Sequence, residues 1–284
     1  WHGGGEDWDI ITVGSAVQGG DNVSWNAMRS YVNSQNVLLP NVYTEIMRRL
    51  DVTNFVDYLL VNVYGATWDW PHNNWRAARE RAPAGIWRFY VWDAEGAFGG
   101  FDGSVPTTDP FIARNINGAG VASPLLNGTA EIPVLYTRLR NSPEFRLLWA
   151  DRIQKHFFNN GGLTDTNVAN RFIQMRSELI GVIPGISSAI LTTWVPQRRA
   201  PLMAIFGNYG LPATTNAPFF NQHGGTVPAG FALTMSITNG PGTIYYTTNG
   251  ADPRVMFTGA ISNSAVAYSS RNLISSGANP TAFA

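Results

Sequence analysis

The sequence predicts an α+β chain in two parts: a mostly helical domain with a short sheet over 1–206, and a small all-β module over 224–284, joined by a linker at 207–223. Three observations carry this expectation. Residues 51–64 repeat apolar side chains at helical spacing, and residues 86–93 alternate like a strand. Beyond Gly207 the texture changes to short alternating runs between Asn-Gly turns. With 284 residues, 44% of them hydrophobic, the chain suffices for one large domain or two modest ones.

In chain order, residues 1–22 are glycine-rich with short apolar runs such as Ile10 to Val13, which predicts a strand and loops. WNAMRSYV has helical spacing, with Ser24 placed to cap it. From Asp51, the positions Phe55, Tyr58, Leu59, Asn62 and Val63 form a nearly apolar stripe that stops at Gly65. The loop ATWDWPHNNW follows, then a basic segment, RAARERAPAG, expected as an exposed turn, with phosphate contact by Arg76, Arg79 and Arg81 as the alternative. IWRFYVWD is next, a strand by its alternation and aromatic content. Residues 101–130, rich in Gly, Pro, Ser and Thr, predict a long surface loop. Helical patterns resume in PVLYTRLR, PEFRLLWADRIQKHFF and TNVANRFIQMRSELIGVI, with Pro143 in a first turn and Thr164 or Asp165 as a cap. A last short helix is expected over 197–206. In the tail, FALTMSI and TIYYTT read as strands.

Composition removes several function classes. Lys plus Arg and Asp plus Glu both number 19, so there is no electrostatic footprint for nucleic acid or an anionic membrane surface. The absence of cysteine excludes disulfides, thiolate zinc sites and a cysteine nucleophile. No apolar stretch approaches the ~18 residues of a membrane span. His2, His72, His156 and His223 lack zinc-site spacing. The opening WHGGGEDWDII has no basic leader and reads like the middle of a domain, so an excerpt from a longer protein is expected. Oligomeric state is not legible from these features.

The chemistry concentrates after the 51–65 helix. Asp69 is followed five residues later by Asn74, and the next strand delivers Asp93-Ala94-Glu95-Gly96. Phosphoryl transfer needs a carboxylate near the acceptor hydroxyl, and oxygen ligands that hold magnesium against the phosphates. Protein kinases supply these as a loop Asp, an Asn five residues on, and a second Asp on a later strand. The spacing alone arises often by chance. Asp69 could equally cap a turn before Pro71, with Asn73 and Asn74 as loop polars. Asp93, following buried-type residues, would then pair with Arg76 or Arg88. Most tryptophans are expected in the core, with Trp68 or Trp70 facing solvent beside Asp69.

WDWPHNNW followed by IWRFYVWDAEGAFGG resembles the CotH-type spore-coat kinase family, most specifically in Trp92-Asp93-Ala94-Glu95 with Phe98-Gly99. The resemblance extends over residues 1 to about 205 and is densest from Leu50 to Gly100. It implies an atypical, secreted protein kinase that uses ATP and Mg2+ or Mn2+ and acts on a protein substrate, located outside the cell or at its surface. It also implies a kinase-like C-lobe, Asp69 as the catalytic residue, and Asn74, Asp93 and Glu95 as metal ligands. Glu95 stands where the family's commoner form has Asp. Kinases of this type hold the phosphates with a lysine on an N-terminal lobe. Lys155, the chain's single lysine, lies far downstream in a helix expected to face core partners, which places the lysine-bearing lobe before Trp1.

The tail residues Gly225, Gly230-Phe231, Ile244 to Gly250 and Asp252-Pro253-Arg254 resemble the chitobiase/β-hexosaminidase C-terminal module, with Asn249 replacing an Asp of its hallmark. This resemblance implies an immunoglobulin-like sandwich accessory to a secreted enzyme, with Asp252 and Arg254 structural. Two other function classes stand beside the kinase: a carbohydrate-active enzyme using two carboxylates, and a non-catalytic surface or adhesion protein on a kinase-like scaffold.

Overall fold

Alternation in strand β1 (Trp8–Thr12) turns Asp9 and Ile11 inward and begins a four-stranded antiparallel sheet. The computed structural model describes residues 7–101, 103–112, 114–116, 119–121, 124–183, 185–213, 216–237, 241–269 and 281–283. Trp1 and His2 lie outside them. The sheet order is β2-β1-β3-β4, with β2 at Ala16–Gly19, β3 at Trp75–Glu80 and β4 at Arg88–Val91. The chain is α+β, and its contacts divide it into one unit ending at Pro212 and a second beginning at Ala213.

The RAARE segment is therefore a central strand, not an exposed turn. Buried Asp9 explains why a sequence so rich in arginine enters a sheet. Its carboxylate accepts the Asp21 N–H at 2.9 Å, Arg81 Nε at 2.6 Å and Arg79 Nε at 3.1 Å. Burial opposes its ionisation, but these bonds prevail and hold its carboxyl below the usual range. Gly20, at φ +67°, closes the turn over this carboxylate, and a Cβ there would sit 2.3 Å from Asp9 Oδ1.

Behind the sheet lies an aromatic core. Trp25 meets Trp87 at 5.1 Å and Trp75 at 5.5 Å between ring centroids. Trp25 projects from α1 (Val23–Ser34), which is capped from Asn22 rather than Ser24, while the Asp21 carboxylate accepts the Val23 N–H. A helix not anticipated from the sequence, α2 (Pro40–Arg49), starts at a first-turn proline and buries Val42, Tyr43 and Ile46. Helix α3 (Val52–Gly65) is capped by Asp51, whose side chain accepts the Asn54 N–H, and it ends at the left-handed Ala66.

The 101–130 stretch is not wholly a surface loop. It forms strands β5 (Arg114–Ile116) and β6 (Ala119–Val121), and Phe111 and Leu125 are buried. Helices α4 (Glu131–Leu139), α5 (Pro143–Phe157), α6 (Asp165–Leu179) and α7 (Val195–Asn208) complete the unit. A π-helical turn over Ile190–Trp194 leads into α7. No helix of the described residues is long and apolar enough to cross a membrane.

Helices α3 and α5 are joined by a charged clasp. Arg152 grips Asp57 with two hydrogen bonds of 2.6 and 2.5 Å, and His156 Nε2 lies 2.8 Å from the same carboxylate. Burial works against the Asp57 charge, but His156 and Arg152 outweigh it, so its carboxyl titrates below the usual range. A depressed folded-state pKa adds stability above the unfolded value of about 3.9, and that stability is lost as pH falls through the folded value. Thermal melts of the wild type and Asp57→Asn should therefore differ most above the unfolded carboxyl value and converge as pH falls through the depressed folded one. A gap constant across that range would show that the clasp is not ionic.

The second unit contains β7 (Phe219–Phe220) paired with β8 (Met235–Ser236), and a sheet ordered β10-β9-β11. These strands are β9 (Tyr245–Thr247), β10 (Val266–Ala267) and β11 (Thr281–Phe283). Met235, Ile244 and Tyr246 form its core with Phe220, Leu233, Ile237 and Tyr268 packed around them. Asp252 accepts the Arg254 N–H at 2.8 Å, and Asn249 accepts the Ala251 N–H at 3.0 Å, both local turn bonds. Asn239 and Gly240 of the expected earlier turn lie outside the described residues.

Candidate functional site

The C-terminal end of α3 organises the loop and turn that carry the predicted residues. Arg198, fully buried on α7, donates to the carbonyls of Val63 at 2.5 Å and Tyr64 at 2.9 Å, and to those of Pro106 and Thr108, both at 2.7 Å. The Gly65 carbonyl accepts the Phe98 N–H at 2.7 Å, which ties the 94–100 turn to the same helix end. Trp70 anchors the intervening loop: it is fully buried and its Nε1 donates to Tyr58 Oη at 2.7 Å. Trp68, on the other side of Asp69, is 37% exposed.

Asp69, Asn74 and Asp93 all adopt left-handed backbone conformations, at φ +54°, +51° and +54°. Asp and Asn enter this region more readily than other side chains, yet each such residue stores of order 1 kcal/mol that the surrounding fold must offset. Left-handed non-glycine residues cluster at functional sites, and here three fall on the predicted trio.

Asn74 and Asp93 are brought together: the Asn74 Nδ2 lies 3.5 Å from the Asp93 carbonyl oxygen. Asn74 is buried. Asp93 is exposed instead of sitting in the core, because β4 ends at Val91 and the chain has already turned outward. Glu95 is exposed as well. Among the described residues, neither the Asp93 nor the Glu95 carboxylate makes a hydrogen bond or ion pair. The expected arginine partners are committed elsewhere. Arg88 pairs with Asp51 at 3.0 Å, and Arg76 stacks its guanidinium 4.4 Å over the ring of half-exposed Trp92.

Asp69 is not bonded to Asn74 or Asp93. Its two oxygens take His72 Nε2 at 3.0 Å and Asn73 Nδ2 at 2.5 Å. In sequence His72 merely lies between Asp69 and Asn74, and only the loop's folding reveals the contact. Its Nδ1 is buried without a partner, which favours the tautomer that keeps the proton on Nε2, facing Asp69. Lys155 is exposed on α5, not packed against the core.

No three His, Cys, Asp or Glu side chains among the described residues converge in a way that could hold a metal ion by themselves. Magnesium does not require such a cage, since it takes one or two carboxylates and completes its shell with phosphate oxygens and water. The unpaired carboxylates of Asp93 and Glu95, two residues apart, and the amide oxygen of Asn74, whose nitrogen approaches the Asp93 carbonyl, are hard oxygen donors of that kind. Trp68 and Phe101 form an exposed edge-to-face pair at 5.7 Å over Gly96, where a Cβ would lie 2.8 Å from that of Trp68.

A model of the CotH kinase protein family matches residues 12–184, more than half of the chain and all of this site. Neither a curated protein nor a solved structure matches it.

Proposed function

Because this chain belongs to the CotH kinase protein family, we propose that it serves an atypical, secreted protein kinase that transfers the γ-phosphoryl group of ATP to protein hydroxyls outside the cell or at its surface. The observation that carries this reading is the 3.5 Å approach of the Asn74 amide to the Asp93 carbonyl, with the Asp93 and Glu95 carboxylates left without partners among the described residues. Asn74, Asp93 and Glu95 would hold Mg2+ or Mn2+, which supplies charge neutralisation on the β- and γ-phosphates. Asp69 orients the acceptor hydroxyl and takes its proton at a carboxylate oxygen. His72 and Asn73 keep that carboxylate in one orientation, which lowers the reorganisation needed for proton transfer. The second unit would be an immunoglobulin-like accessory module of the chitobiase/β-hexosaminidase C-terminal type.

The test is metal-dependent transfer of labelled phosphate by the full chain. Wild-type protein should phosphorylate a protein acceptor, and Asp69→Ala and Asp93→Ala should not. Transfer unchanged in both variants would end this reading. A non-catalytic scaffold is the second reading, favoured by the engagement of both Asp69 oxygens within its own loop. It predicts that the full chain binds neither ATP nor Mg2+.

A further inference from the structure

We propose that Arg76 is the phosphate-contacting cation of this site, binding an oxyanion of a metal-bound nucleotide polyphosphate; this rests on the phosphotransferase reading above. The first support is what Arg76 does not do. Arg79 and Arg81 are bonded to Asp9, Arg88 to Asp51, and Arg152 to Asp57. Arg76 makes no ion pair with any described residue. Yet two unpaired carboxylates, Asp93 and Glu95, follow its stacking partner Trp92 by one and three positions. Arg76 and these carboxylates are brought to the same neighbourhood through Trp92, where opposite charges ordinarily pair. Here they are held apart by specific contacts.

Those contacts are the second support. Arg76 Nη1 donates to Thr12 Oγ1 and to the Trp75 carbonyl, the latter at 2.9 Å, and the guanidinium lies over Trp92. The Arg76 Nε and Nη2 donors have no partner among the described residues. A guanidinium fixed at one nitrogen and one face, with the remaining donors open, presents the fork that binds phosphate oxygens in bidentate fashion. The position agrees with this role. Register pairs Arg76 of β3 with Tyr90 of β4, so it stands two residues after Asn74, and Trp92 follows the end of β4 by one residue. Unpaired carboxylates next to Trp92 in the chain and a guanidinium with open donors over its ring are what a metal–polyphosphate complex requires. With its single lysine exposed on α5, the described chain offers no lysine in this place.

The experiment measures ATP and adenosine affinity of the full chain with Mg2+ present, alongside the KM for ATP. Arg76→Gln should weaken ATP about tenfold or more, the usual effect of losing a charge-assisted pair, while adenosine affinity stays the same. Arg76→Lys keeps the charge without the fork and should fall between. ATP affinity within twofold of wild type in Arg76→Gln, or an equal loss for adenosine, would reduce Arg76 to a strand clip and overturn the proposal. If Arg76→Gln does not fold, Arg76→Lys decides, and unchanged ATP affinity there overturns it too. Wild-type protein that neither binds ATP nor transfers phosphate defeats both this proposal and the phosphotransferase reading. Active wild type with Arg76 variants of unchanged ATP affinity defeats this one alone.

Discussion

Asp69→Asn is expected to lower kcat for phosphoryl transfer by about two to four orders of magnitude, with the KM for ATP close to wild type. The amide cannot take the acceptor's proton. It also turns an N–H group toward His72 Nε2, which lies 3.0 Å from one oxygen of the native carboxylate, or toward Asn73 Nδ2, which donates to the other. Asp69→Ala lacks that donor clash and separates loss of the base from disturbance of the loop. Asp93→Asn should behave differently, raising the metal concentration and ATP concentration needed for half-maximal rate, because it removes a charged oxygen donor. A kcat effect at Asp69 and an affinity effect at Asp93 is the expected split. Wild-type rates in both variants would remove the site from any catalytic account.

Arg198→Met should be the most damaging substitution outside the site, costing about 3–5 kcal/mol of stability in the first unit. Four carbonyls, three of them in buried bonds, lose a charged donor. The simple sum of four bonds would be larger, but removing a buried charge recovers its own desolvation cost. At about 2–4 °C per kcal/mol for a unit of this size, the melting temperature should drop by roughly 6–20 °C. Arg198→Lys should recover little, since an ammonium cannot span carbonyls on two separate segments. A shift below about 2 °C in Arg198→Met would show that the helix end holds itself. Because Val63 and Tyr64 immediately precede the loop of Asp69, residual transfer activity in a folded Arg198 variant should fall further than its stability suggests.

Much of the scaffold was legible in local sequence. The start near Asp51, the stripe from Phe55 to Val63 and the stop at Gly65 mark α3 by rules acting within one or two turns. The Trp92-Asp93-Ala94-Glu95 signature led to the family now matched over 12–184. Segment RAARE was misread because its arginines are solvated by default, and only Asp9, about seventy residues earlier, gives them a reason to enter a sheet. The contacts of His72 and Asn73 with Asp69, the outward turn of Asp93, and the position of Arg76 over Trp92 were equally invisible.

By itself, then, the sequence determined the α+β class, the principal helices and the family, because periodicity, caps and a contiguous motif are short-range properties. Tertiary structure alone decided which charges are neutralised and which stay open. Pairing depends on where a strand from residues 8–12, a loop from 67–74 and a buried arginine at 198 meet, and that meeting is set by long-range packing and backbone conformation that no local pattern encodes.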